Sequence, residues 1–162
     1  MASGRPTVAI TFDDGYEDNY EYAFPLLQQH HLPATFFLTT GFLDGEPGIE
    51  EKMRANWRSE RPLVPLTWAQ AAELQRGGME IGAHTQTHPN LANLTTAQAW
   101  AELVQPKDDI EQKLGVPVRS LAYPFGKYRR HFTDETMRLA EEAGYAQAAA
   151  VAFRAVRSGD RP

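Results

Sequence analysis

A repeated change of hydrophobic period constrains this chain more than any other feature. Short apolar, β-branched runs alternate with stretches that carry helix start and stop signals. Thr7–Phe12 reads as a first strand. Asp18–His31 reads as a helix, with Asp18 as N-cap, Glu21 closing a capping box, and Pro25 expected to kink or shorten it. Ala34–Thr39, "ATFFLT", is a second strand. Thr67 and Gln70 have capping-box spacing and open a helix that Gly77-Gly78 end, before a third strand at Met79–Ala83. Thr95 and Gln98 repeat that spacing and start a longer helix to about Leu114, bent at Pro106 and closed by Gly115. Arg119–Tyr123 is a fourth strand, Thr133 to Gly144 a helix, and Ala146–Phe153 a fifth strand. Residues 41–66 hold three glycines, three prolines and many charges, so they read as irregular. A short helix around Glu50–Trp57 fits inside them. This stretch is either a lid or substrate-contacting insertion or a surface insertion without function.

Strands alternating with helices call for parallel β/α units, arranged as a barrel or an open sheet. The 162 residues suffice for one domain with a sizeable core, and no internal repeat or interdomain linker divides them. In parallel α/β architectures, chemistry collects at the C-terminal ends of strands. Composition narrows the chemistry. With no cysteine, disulfides, thiolate metal sites and cysteine nucleophiles are excluded. A net charge of −5 argues against a broad nucleic-acid or anionic-membrane footprint, and the basic run Lys127–Arg130 reads as a solvated loop. No apolar run is long enough to span a membrane, and no secretory signal is legible.

Three groups of residues lie at strand ends. The first strand ends in Asp13-Asp14-Gly15; a turn through Gly15 lets both carboxylates face one cavity. The third ends in "HTQTHP", with His84 and His88 four apart and Pro89 steering the second away from helical geometry, so a folded-back loop is expected. The fourth ends in "AYPFG", residues 122–126, a tight turn with an aromatic in it. Two neutral imidazoles and one carboxylate form a common hydrolytic zinc site with a position left open. A cation offsets the repulsion between the two aspartates, binds one, and leaves the other for general-base work. No G-x-S-x-G, Walker or Rossmann pattern occurs. His30, His31 and His131 read as structural.

In that order, "TFDDG", "HTQTHP" and "AYPFG" resemble the motifs of the polysaccharide deacetylases, carbohydrate esterase family four. So do "LTWAQAAELQRGGMEIGAHTQTHPNLANLT" and "GVPVRSLAYPFGKY", and the likeness runs from about Val8 to Gly144. The resemblance implies a distorted, incomplete (β/α) barrel with parallel strands. It implies removal of N- or O-acetyl groups from a polysaccharide or oligosaccharide with zinc, or with cobalt, nickel or manganese in its place. Asp13 matches the family's general base, and Asp14, His84 and His88 its metal triad. Tyr123, Pro124 and Gly126 match a substrate-facing turn whose aromatic, Phe125, offers a backbone N–H to the oxyanion. The resemblance also implies a secreted or envelope location.

Two departures accompany it. The family's third-motif arginine, which orients the base, falls at Ala122, so this chain is similar to the Y-P-[YF]-G branch and another group must orient Asp13. The late segments of the family, including its general-acid histidine, have no counterpart before Pro162. His131 is a poor substitute. A C-terminally truncated domain is therefore expected, with metal binding retained, weak turnover, and strand edges that favour oligomerisation or a capping segment. Two alternatives share the scaffold: a catalytically impaired glycan-binding module, and an amide or cyclic-imide hydrolase.

Overall fold

The computed structural model of the protein describes residues 8–152. Five strands are formed: β1 (Thr11–Phe12), β2 (Thr35–Leu38), β3 (Glu80–Ala83), β4 (Ser120–Ala122) and β5 (Gln147–Ala149). All neighbouring pairs are parallel, and spatial order equals chain order, β1-β2-β3-β4-β5. Every crossover thus steps the same way. With the right-handed rule for such crossovers, the helices fall on one face and the sheet curls toward a barrel. An open doubly wound sheet would need a reversal of order, and none occurs among the described strands.

The helices are α1 (Phe24–Gln29), α2 (Thr40–Leu43), α3 (Ile49–Trp57), α4 (Trp68–Arg76), α5 (Thr96–Leu114) and α6 (Asp134–Glu142). Capping boxes form at Thr67 with Gln70 and at Thr95 with Gln98, as their spacing predicts. Thr133 caps α6 in the same way, with Thr136 as its partner. α5 runs unbroken through a buried Pro106 and ends at Gly115, whose φ of 69° suits glycine.

Three expectations need correction. Asp18 makes no capping bond; residues 19–23 wind as a π-helix and α1 begins at Phe24. Pro25 explains this. It has no N–H to return to the preceding turn, so the chain widens and Pro25 takes a place in the first turn of α1, where no donor is needed. The first and fifth strands are shorter than their apolar runs, because pairing, not composition, sets their length; Thr7 and Phe153 lie outside the described residues. The stretch 41–66 is also more regular than its composition suggests, for it carries the end of α2 beside α3, which is the short helix expected around Glu50–Trp57.

Side chains on the strands alternate. Phe36, Leu38, Ile81, Ala83 and Leu121 join the main buried cluster with Leu66, Leu74, Leu103 and Ile110 from the covering layer. Phe12 stacks on Phe36, its register partner, at 4.8 Å. Phe37 is buried outside that cluster and lies over Gly82, where a Cβ would come within 2.5 Å of its ring. A smaller cluster of Phe42, Ile49 and Met53 roots α3 beside the strand ends.

Candidate metal centre

Each ligand candidate sits just past the C-terminal end of its strand, where the backbone leaves the ladder. After β1 the chain turns at Asp14 itself (φ 73°) and again at Gly15 (φ 83°). Aspartate tolerates this left-handed geometry, and a Cβ at Gly15 would also approach Leu43 to 2.8 Å. After β3, Thr85 and His88 both have positive φ (65° and 52°), and the Thr85 hydroxyl accepts the His88 N–H at 3.0 Å. The loop therefore folds back, as Pro89 foretold, and the two imidazoles meet edge to face at 5.0 Å.

The loop is held from outside. Glu102 on α5 accepts the N–H groups of Gln86 (2.9 Å) and Thr87 (2.8 Å) and the Thr87 hydroxyl (2.6 Å). Lys52 on α3 donates to the Thr87 carbonyl at 2.6 Å. Neither residue carries a sequence signal. Their partners lie fifteen or more positions away and are chosen by how the helices dock.

Asp14, His84 and His88 are all buried, and one ligand atom from each falls within 4.8 Å of the others. Asp14 Oδ1 stands 3.4 Å from His84 Nε2 and 3.3 Å from His88 Nε2. Oδ1 nevertheless has no hydrogen-bond partner. N–H···O bonds are usually 2.7–3.2 Å long. Ligands of a tetrahedral ion with bonds of ~2.0–2.1 Å lie about 3.3–3.4 Å apart. The spacing matches the second arrangement. His84 Nδ1 lies 2.8 Å from the Ala122 carbonyl, which can accept only if Nδ1 carries a proton. In the neutral ring Nε2 then turns a lone pair toward Asp14 Oδ1. A proton or a cation must lie between them.

Burial alone would raise the Asp14 carboxyl, but the two neighbouring histidines, His84 foremost, outweigh it and hold it below the usual range. Burial and the neighbouring His84 push His88 down to about 4. Burial would also lower His84, yet the two aspartates and the Ala122 carbonyl hold it raised. Asp13 moves opposite to Asp14. Loss of surrounding water and the Asp14 charge raise it, with His84 opposing, although its surface is still accessible. The oxygen and nitrogen donors of Asp14, His84 and His88 thus fit a divalent cation.

Of the "AYPFG" turn, Tyr123, Pro124 and Gly126 are buried and Phe125 alone is exposed. Tyr123 stacks on Phe132 at 4.0 Å, and burial pushes its hydroxyl up to about 12. Gly126 accepts the Val151 N–H at 2.8 Å, an approach that leaves no room for a Cβ. Phe125 has a φ of 61°, and its ring packs against His88 at 4.8 Å and His131 at 5.1 Å. Among the described residues none accepts the Phe125 N–H. His131 accepts the Lys127 N–H at 3.2 Å and so braces this turn, while His30 and His31 lie exposed beyond α1.

The family model for polysaccharide deacetylase matches residues 1–148. This chain belongs to that family. The Bacillus subtilis (strain 168) protein YxkH is 30% identical over 138 residues, 85% of this chain and 42% of its own length. The chitooligosaccharide deacetylase of Rhizobium leguminosarum bv. phaseoli is 26% identical over 145 residues, 87% of this chain and 52% of that protein. The chain thus spans about half the length of the curated relatives it matches. Among solved structures, the Streptococcus pyogenes deacetylase PplD in complex with acetate superposes with a TM-score of 0.72 at 26% identity, covering 90% of this chain and 55% of that one. A de-N-acetylase from Aggregatibacter actinomycetemcomitans, with a TM-score of 0.74, 21% identity, and coverage of 98% and 70%, shares the fold. The distorted (β/α) barrel of this chain is therefore that of its family.

Proposed function

We propose that this protein is a metal-dependent hydrolase that removes N-acetyl, or O-acetyl, groups from a polysaccharide or oligosaccharide. Asp14, His84 and His88 would hold the cation and Asp13 would serve as general base. The observation that carries this reading is the unpartnered, buried Asp14 Oδ1 at 3.4 and 3.3 Å from two imidazole Nε2 atoms. A mixed oxygen and nitrogen set suits zinc, and cobalt, nickel or manganese can replace it. The cation supplies Lewis acidity toward the acetyl carbonyl and toward water.

The chain's own groups do the rest. Asp13, the neighbour of the ligand carboxylate in the chain, would take the proton from attacking water, and the loss of surrounding water that raises its carboxyl favours that role. The Phe125 N–H would stabilise charge developing on the acyl oxygen, an interaction worth ~3–4 kcal/mol in other hydrolases. Tyr123, Pro124 and Gly126 contribute by fixing the turn that presents Phe125. The named activities of the relatives, on chitooligosaccharides and on peptidoglycan, support an acetylated carbohydrate substrate and a secreted or envelope location.

The experiment is zinc titration by calorimetry after chelation, alongside acetate release from acetylated chito-oligomers. One equivalent of zinc is expected, lost in His84→Ala. Asp13→Asn should keep zinc and lose acetate release by about 10²-fold or more. A chain that takes up no zinc overturns the proposal.

A further inference from the structure

The second oxygen of Asp14 is not free. The Trp57 indole N–H donates to Asp14 Oδ2 at 3.2 Å. Trp57 ends α3, inside the stretch whose function the sequence leaves open, and is itself 59% exposed. α3 is fixed at both ends of this contact. Ile49 and Met53 bury its inner face, the Glu50 carboxylate accepts the Leu63 N–H at 2.9 Å, and Lys52 holds the His88 loop through the Thr87 carbonyl. One helix therefore touches both ligand-bearing turns. Trp57 also lines a cavity of about 370 Å³ whose walls include Tyr16, Leu63 and Val64 and the acidic Glu17, Asp18 and Glu21.

We infer that Trp57 is a positioning residue that makes Asp14 a one-oxygen ligand. A carboxylate can bind a cation through one oxygen or two. With Oδ2 occupied by the indole N–H, only Oδ1 is presented to His84 and His88, and Oδ1 is the oxygen without a partner. A one-oxygen Asp14 leaves a coordination position open for substrate and water; a two-oxygen Asp14 fills it. The assignment rests on the metal reading above. It adds a residue outside the recognised motifs and gives stretch 41–66 a task at the centre.

Trp57→Phe keeps an aromatic ring and removes the N–H together with part of the indole. Zinc affinity should fall about tenfold, in the range typical of lost hydrogen bonds behind metal ligands. The metal-free melting temperature should stay at the wild-type value. With cobalt(II) in place of zinc, the visible d–d absorption should weaken, because added coordination lowers its intensity. Trp100→Phe, on α5, should change none of the three. Unchanged zinc affinity and cobalt spectrum in Trp57→Phe overturn the inference. So does a loss of affinity that comes with a matching drop in metal-free melting temperature, which assigns Trp57 to folding alone. If the wild-type chain binds neither metal, the metal reading fails and this inference with it; if the wild type binds and the variant binds equally, only this inference fails.

Discussion

Glu102 directs its whole carboxylate at three donors of one turn, the Gln86 and Thr87 N–H groups and the Thr87 hydroxyl. Hydrogen bonds to a charged acceptor are worth about 1.5–3 kcal/mol, and deserted half-buried donors are costly. Glu102→Ala should lower unfolding stability by on the order of 2–3 kcal/mol in urea. It should also weaken zinc binding more than Trp57→Phe does, since the whole His88 turn loses its brace. Affinity equal to wild type would show that Thr85 and Lys52 suffice. At this scale the sequence revealed the residues whose neighbours are local. Asp13, Asp14, His84 and His88 stand out because strand ends collect them in short motifs. Trp57 and Glu102 do not, because nothing local distinguishes a tryptophan or a glutamate whose partner is fixed only by helix docking.

Among the elements, helix starts were the most legible. Thr67 and Thr95 each carry their partner three residues on, and both boxes form. The same signal at Asp18 failed, because Pro25 removes a donor seven residues later and the backbone widens instead. The far end of α5 supplies a prediction in pH. Glu111 accepts from Lys107 at 2.7 Å and from the Val118 N–H at 2.9 Å, tying the helix to the entry of β4. The Lys107 hydrogen bond first, then Val118, hold the Glu111 carboxyl below its usual 4.5, against the effect of burial. A depressed carboxyl favours the folded state when ionised. Its contribution is complete above the unfolded value and is lost as pH falls through the lower folded one. Glu111→Gln should therefore melt below wild type at pH 7, and the gap should close under acid conditions. A gap that stays constant down to acid pH would assign the loss to geometry rather than charge.

For the whole molecule, sequential parallel order brings three strand ends, and hence Asp14, His84 and the Ala122 carbonyl, to one rim. Among the described residues, β1 and β5 pair on one side only, with β2 and β4. Open edges seek partners. The chain is expected to self-associate or to require a capping segment, and light scattering should report more than the mass of one copy. A monodisperse monomer that keeps its melting temperature on dilution would refute this. The curl was not legible in the alternating pattern alone, although the motif resemblance implied an incomplete barrel. The alternating pattern allowed an open sheet as well as a barrel, and the strand order chose between them.

The sequence by itself determined most of the strands and helices, where most helices begin, and which residues are candidates for the chemistry. All of these are encoded within windows of a few residues, by hydrophobic period, capping partners and strand-end motifs. Only the tertiary structure decided that Asp14 meets two imidazoles at metal-ligand spacing, that α3 clamps both ligand turns, and that Tyr123, Pro124 and Gly126 lie under the surface while Phe125 emerges. Those outcomes depend on contacts between segments far apart in the chain, whose geometry exists only after the layers have packed.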